Sequence, residues 1–541
     1  MRLSRALRDP FLVVAYLVLV AFLGLFVVYP LARAALTPRP SDWAKLLSSP
    51  RWIAAMEHTL AMTVLSTVTA TAMGYAYAYG VTKGRVPGAR LFSLVPFLYL
   101  VSPPFVGGLA FTLLLGRKGI VTHGLLGLDV SIYGWGGLWL AQTLSFFPIS
   151  FIICRSALAN LGGALETAAR GMGAGRFRVF RTVSLPLTAP AIAQAALFCA
   201  LSVMSDFGNP MLIGGRYRVL ATEVYTQLSG WADAGMSAAA GLILLAPALV
   251  VFALQRAATG AGERYATVGS RGRGIGRDDD VSPPARLALA AFCGIVAVFV
   301  LAQFAVIAYG ALTRIWSVDG TFTLAHLGAA SKYGREIKDS LAFPALAASL
   351  CAAASLASAF LVQRCRAPLA PVIDLATILP AAIPHTLVGL AFAISFNGKP
   401  LDLAGSGAIL VVAMAVSYLP FGYRAVMAAL AQVKPSIDDA AAALGASRSR
   451  ALFDVILPIV RGAVAAAFVF AFIVGTGTMS AVIFLVSFKT PLASVTILNL
   501  AEMGSWSDAA ALASILCVLA FAGLAAVRLL AGRRFFQAAF R

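Results

Sequence analysis

Apolar runs long enough to cross a bilayer alternate with short polar stretches along nearly the whole chain. A hydrocarbon core takes about 20 apolar residues per helical span. On that measure the pattern predicts twelve helices, near 11–31, 57–81, 91–115, 133–157, 190–210, 235–255, 285–310, 338–363, 370–396, 406–430, 462–486 and 509–532. Between the sixth and seventh lies a stretch rich in Gly, Ser and Arg without apolar periodicity, which reads as a flexible linker. The chain thus divides into a first module 1–256, a linker 257–284 and a second module 285–541. The predicted fold class is an all-α polytopic membrane protein built from two tandem six-helix modules.

One polar stretch occurs twice. Leu165 to Pro186 (LETAARGMGAGRFRVFRTVSLP) aligns without a gap on Ile437 to Pro458 (IDDAAAALGASRSRALFDVILP), 272 positions on. Ala168/Ala440, Ala169/Ala441, Gly173/Gly445, Arg176/Arg448, Arg178/Arg450, Leu185/Leu457 and Pro186/Pro458 coincide. Further landmarks extend the duplication: Pro103 with Gly108–Phe111 matches Pro384 with Gly389–Phe392 at an offset of 281, and Ser145 and Pro148 match Ser417 and Pro420 at 272. The nine extra residues of the first half fall between spans, around Arg117 to Tyr133, where a loop lengthens cheaply. An even number of spans per module makes the repeats parallel, so both polar stretches lie on one side of the membrane. Physically each reads as a short Ala-rich helix, a Gly break, and a second stretch with Phe177, Phe180 and Val183 on one face, leading to a proline that opens the next helix. An amphipathic pair lying on lipid explains one copy equally well. Two copies with Gly and Leu-Pro at identical spacing favour a protein partner, since lipid demands no fixed spacing.

Composition and charge agree with a membrane protein. Hydrophobic residues make up 60% and charged residues 12%, with a mean hydropathy of +0.87, so the surface faces lipid. The net charge of +20 reflects topology rather than nucleic acid: with the N-terminus inside, 26 Lys/Arg fall in cytoplasmic segments and 14 in external ones, the sign of the positive-inside rule. Both repeated stretches and both termini are then cytoplasmic. The apolar run after MRLSRALRDP is too long for a signal-peptide core and reads as an uncleaved first span. The six cysteines lie singly in or beside spans, without disulfide or metal-ligand spacing. Asp278–Asp280 and the Arg residues of the linker read as solvated charge.

The repeated stretch resembles the EAA loop of binding-protein-dependent ABC importer permeases, in which E-x-A-A, Gly and Leu-Pro recur at this spacing. The resemblance covers both modules. It implies that Glu166, Ala168, Ala169, Gly173, Leu185 and Pro186, and Asp438, Ala440, Ala441, Gly445, Leu457 and Pro458, form coupling helices seated on a cytoplasmic ATPase. Asp438 stands where the family has Glu, keeping the charge with a shorter reach. It also implies two copies of that ATPase, which bind ATP and Mg, a soluble solute-binding protein outside, and location in a bacterial inner membrane. Ser205-Asp206-Phe207-Gly208-Asn209-Pro210, with Leu220–Tyr225, further resembles the fused permeases of the ferric-iron group, whose relatives are assigned to phosphonates, sugar phosphates or thiamine.

Asp206 is the notable single residue, because an ionisable group at the centre of a bilayer costs roughly 2.5–3.5 kcal/mol on insertion scales. Two readings stand for it: a carboxylate facing a polar pathway with Asn209, or a cap at a helix break or the headgroups. His385, beside Pro384, is a second pathway candidate, and a lone His there also serves as a packing residue. The second module has Thr476–Ser480 at the place of Asp206, so the halves differ chemically. No phosphate loop, HExxH motif or Ser/His/Asp constellation is present, so the chain reads as a transport subunit without catalytic metal or cofactor. An ion-coupled secondary transporter is the alternative of another class, and it needs several intramembrane ionisable residues; a membrane enzyme lacks a catalytic cluster.

Overall fold

The computed structural model describes residues 9–128, 131–161, 163–266, 281–398 and 401–531. Apart from a two-stranded hairpin, Thr313–Ile315 with Asp319–Phe322, the described residues form helices and their connections. This suits lipid, where every backbone polar group must be paired within the chain. Prolines open many of them, at Pro10, Pro50, Pro104 and Pro283, where the missing N–H is not needed.

Among the described residues nine helices are long and apolar enough to cross a membrane, or ten if the bent pair Ala370–Ala382 and His385–Ser395 counts as one span. The expected twelve included two others. Residues 57–81 lie in a 33-residue helix, Pro50–Thr82, whose buried face carries Thr59, Thr63, Ser66, Thr67 and Thr71 and is therefore less apolar than its length. Residues 91–115 are broken into Ala89–Phe92, Val95–Val101 and Pro104–Leu115. The break has the same shape in both modules: Pro103 (φ −55°, ψ 134°) and Pro384 (φ −54°, ψ 133°) follow an extended Ser102 and Ile383. Proline forces its predecessor out of the helical region. The linker is shorter than expected, because the helix Ala234–Ala266 and the helix opening at Pro283 invade 257–284. Its remainder, 267–280, lies outside the described residues.

Each module is organised on three packed helices: Pro50–Thr82, Trp135–Asn160 and Leu185–Met204 in the first; Gly334–Ala359, Gly407–Gln432 and Leu457–Thr476 in the second. The last two of each trio begin and end at positions exactly 272 apart. Small residues set the closest crossing. A Cβ on Gly74 would stand 2.5 Å from the Ser150 side chain, and one on Gly422 would stand 2.5 Å from that of Ser355. The two crossings are equivalent, with Gly and Ser exchanged between partners.

The modules interlock. The first span, Pro10–Leu36, packs on His385–Ser395 of the second module, while Pro283–Ala311 packs on Pro104–Leu115 and Pro50–Thr82 of the first. Exposed Val14, Leu17, Val18, Leu60, Val64 and Val68 form apolar stripes at helical spacing, the face expected against lipid. All six cysteines are buried and unbridged.

Candidate docking loops and buried carboxylates

The repeated stretches fold alike. The first runs from helix Gly163–Gly171 through a turn to Arg176–Val179, a π-helical turn Phe180–Ser184 and helix Leu185–Met204. The second runs from Ser436–Ala443 through Arg448–Ala451 and a π-helical turn Leu452–Ile456 to Leu457–Thr476. Gly173 (φ +86°) and Gly445 (φ +78°) adopt the left-handed conformation that glycine enters without steric cost. The reversal is held by backbone bonds at the same places: Ala174 N donates to Ala169 O at 3.1 Å and Ala446 N to Ala441 O at 3.0 Å. These pairings occupy carbonyls that a helix end otherwise leaves open.

The candidate residues divide by direction. Ala169 and Ala441 are buried against their own modules, whereas Ala168, Ala440, Pro186 and Pro458 are exposed and Leu185 and Leu457 half-buried. The residues before the two glycines, Met172 and Leu444, are 83% and 88% exposed. They occupy equivalent positions, so each loop presents an apolar knob at its turn.

The two carboxylates face inward. Lys83 Nζ donates to Glu166 Oε2 at 2.7 Å, and Ser184 Oγ donates to Glu166 Oε1 at 2.7 Å. In the second module Arg364 Nη1 donates to Asp438 Oδ2 at 2.7 Å. Glu166 is 3% exposed, and the Asp438 side chain 35%. The resemblance placed both residues in the loops and said nothing of the direction of their side chains. The bases were legible as a repeat, because Lys83 and Arg364 stand 281 positions apart, the offset already seen for Pro103 and Pro384.

Asp206 lies in the non-helical step Ser205–Phe207 between Leu185–Met204 and Gly208–Ile213. Its carboxylate accepts from Gln142 Nε2 at 3.0 Å, from Asn209 Nδ2 at 3.0 Å and from Asn209 N at 3.3 Å. Ser66 Oγ donates to Gln142 Oε1 at 3.0 Å, and Asn209 Nδ2 also reaches Ser145 Oγ at 3.2 Å. Asp206, Asn209 and Gln142 are buried, the Asn209 Oδ1 atom without a hydrogen-bond partner. The structure therefore joins Asp206 and Asn209 in one network tying three helices to the break, and the donors to the Asp206 carboxylate are neutral side-chain amides and a backbone N–H. His385 stands apart from it, its ring centroid 6.0 Å from that of Tyr418. Among the described residues no cluster of His, Cys, Asp or Glu could hold a metal ion.

At the other end of the bundle Glu223, in the Leu220–Trp231 helix, is 2% exposed and pairs with Arg51 and with Arg218 Nη1 at 3.2 Å. The sequence marked this stretch only by resemblance.

The family described as "Binding-protein-dependent transport system inner membrane component" matches residues 70–259 and again 349–535. The ferric transport system permease protein FbpB of Actinobacillus pleuropneumoniae is 30% identical over 535 residues, covering 95% of this chain and 77% of that protein. A putative ferric transport system permease protein of Haemophilus influenzae is 30% identical over 503 residues, covering 89% and 79%. The molybdenum transport system permease protein of Escherichia coli K12 is 31% identical over 216 residues, 39% of this chain and 93% of that protein.

Proposed function

The chain belongs to the family of binding-protein-dependent transport system inner membrane components, as a multi-pass transport subunit rather than an enzyme, and from that membership we propose that it forms, in one polypeptide, the paired pore of an ATP-driven ferric-iron importer. It works in a bacterial cytoplasmic membrane with both termini inside. Two copies of a cytoplasmic ATPase, which hold ATP and Mg, seat on the two loops, and a soluble binding protein delivers the solute on the opposite face. The observation that carries this reading is the duplicated loop: two exposed apolar knobs, Met172 and Leu444, beside glycines of the same left-handed conformation. Closure of the ATPase pair draws the loops together and rocks the interlocked modules between inward-open and outward-open states.

Ferric iron is supported by the two ferric relatives, each aligned over most of this chain, and by Asp206, a buried carboxylate with no ion pair among the described residues. A passing cation receives from it charge compensation for lost hydration. The same machine carrying an anion is the second reading, favoured by the alignment of a sulfate transport system permease protein of Salmonella typhimurium, 26% identical over 43% of this chain.

Uptake of ⁵⁵Fe(III) by cells expressing the whole importer tests both. Asp206→Asn removes the charge. It also sets an amide N–H against one of three donors, since Asn cannot accept all three bonds, costing about 1–3 kcal/mol for the unpaired group. Iron uptake falls while the ATPase still co-purifies, and Asp206→Glu recovers part of it. An anionic cargo reverses the sign, with uptake raised in Asp206→Asn and sensitive to Arg216 and Arg218. Unchanged iron uptake in Asp206→Asn assigns the residue to structure alone.

A further inference from the structure

Each inward carboxylate belongs to a three-part joint that recurs in both modules with its chemistry changed. In the first, Lys83 caps the helix Pro50–Thr82, and its Nζ bridges Glu166 Oε2 at 2.7 Å and the carbonyl of Leu161 at 3.4 Å. Leu161 caps the helix Trp135–Asn160. In the second, Arg364 sits in the final turn after Gly334–Ala359 and bridges Asp438 Oδ2 at 2.7 Å and the carbonyl of Val433 at 2.5 Å. Val433 caps the helix Gly407–Gln432. Leu161 and Val433 are equivalent at the offset of 272, and Lys83 and Arg364 at 281.

The same three elements are therefore pinned by one cation twice. In each joint the carboxylate lies in the first turn of the loop helix and the cation at the last carbonyl of a span, where the helix dipoles favour each sign. The substitutions compensate in reach: the longer acid faces Lys, and the shorter acid faces the longer, forked guanidinium. A carboxylate whose task was only to meet a partner's surface carries no reason to change in step with a base on another helix.

We propose that Lys83 and Arg364 are positioning residues of the transport cycle, which lock each loop helix to two membrane helices so that displacement of the loop is carried into the bundle. Glu166 and Asp438 serve this joint, and the partner is met by the exposed knobs. The proposal rests on the reading that these loops seat an ATPase.

The test uses the full chain purified with its ATPase in nanodiscs. Spin labels at Ser48→Cys and Ser331→Cys occupy exposed positions just before the N-terminal ends of Pro50–Thr82 and Gly334–Ala359, remote from the loops, and the buried native cysteines stay unlabelled. ATP with vanadate changes the inter-label distance in the otherwise unsubstituted protein. Lys83→Met retains the ATPase but loses the distance change, Glu166→Gln loses it too, and combining them adds nothing further. Glu166→Asp, too short for Lys83, loses most of the change, and Lys83→Arg with Glu166→Asp, which copies the second module into the first, restores it. That rescue separates a joint from a general fold defect, and it stands even if Lys83→Met fails to fold. If Glu166→Gln releases the ATPase while Lys83→Met behaves as the parent, the carboxylate contacts the partner directly and the joint is refuted. No rescue, or no distance change in the parent complex with ATPase bound, also overturns it. Failure of the parent chain to retain any ATPase defeats the docking reading instead.

Discussion

Replacing Gly173 by Ala separates the backbone demand of the loop from its contacts. Gly173 has φ +86° and an added Cβ meets nothing within 4 Å; Gly445 has φ +78° and the same open surroundings. Crowding within the chain therefore contributes nothing, and the whole penalty is the left-handed conformation, about 1–2 kcal/mol for an L-residue with a Cβ. That corresponds to a roughly 5–30-fold loss of loops poised in the native turn. Asn tolerates this region better, so Gly173→Asn weakens binding less than Gly173→Ala. The two glycines lie in separate loops, so the free-energy costs of Gly173→Ala and Gly445→Ala add to within about 0.3–0.5 kcal/mol. Arg pays the same backbone cost as Ala and projects into open space, so any loss of Gly173→Arg beyond Gly173→Ala measures collision with the docked partner. The assay is titration of purified permease with the ATPase subunit, with import followed in parallel. Equal affinity of the glycine protein and Gly173→Ala, or weaker binding by Asn than by Ala, refutes the reasoning.

Ser447→Cys is exposed beside the second loop, and with the native cysteines buried an impermeant maleimide labels it only after the cells are permeabilised, while Ser331→Cys is labelled in intact cells. Labelling of Ser447→Cys from outside reverses the topology. Glu223→Gln leaves Arg51 and Arg218 without their buried partner, but the two arginine side chains are 40% and 55% exposed. Its cost in thermal unfolding therefore stays below the roughly 3–5 kcal/mol of a fully buried broken pair, and a larger loss shows that the arginines cannot reach water. Asp9 caps Phe11 N at 3.2 Å and Ser449 N at 2.8 Å, so Asp9→Ala costs about 1 kcal/mol and raises hydrogen exchange at Ser449 but not at the first loop. Burial opposes its charge, yet these hydrogen bonds hold its carboxyl below the ordinary 3.8. The contribution is accordingly present above that value and is lost only as pH falls through the lowered one.

The duplication was legible because helices 135–160 and 407–432, and 185–204 and 457–476, kept their register without a gap, so landmarks at one offset reported real equivalence. The loops were legible for the same reason. What the pattern concealed was direction. An acid in a polar stretch reads as surface, and Glu166 turns inward onto Ser184 and onto Lys83, which lies some eighty positions earlier and ends its helix against it. The helix Pro50–Thr82 was placed correctly but fell short of the others in apolarity, because its hydroxyls face neighbouring helices: Thr59 and Thr63 donate back to their own helix at 2.7 Å, an arrangement that hides polarity from lipid. The interlock of each first span with the opposite module left no trace in periodicity, since an apolar stripe packs on lipid or protein alike.

The two modules share a frame more closely than they share a lining. At the offset of 272, Gln142, Asp206 and Asn209 of the buried network stand opposite Met414, Thr478 and Ala481, and only Ser145 keeps its partner, Ser417. The loop turns, the prolines at the breaks and the acid–base joints, by contrast, appear in both halves with equivalent geometry. Under the proposed function, a drive supplied by two copies of one ATPase imposes the same mechanical demand on both loops, which is consistent with symmetry at that end. A single solute moving between the modules imposes no such equality, so one half can carry the whole charged network while the other stays neutral. It follows that transplanting the second loop into the first, joint included, preserves import, whereas transplanting Met414, Thr478 and Ala481 onto positions 142, 206 and 209 abolishes it with the ATPase still bound. Loss of import in both chimaeras, or in the loop chimaera alone, contradicts this division between a symmetric drive and an asymmetric path.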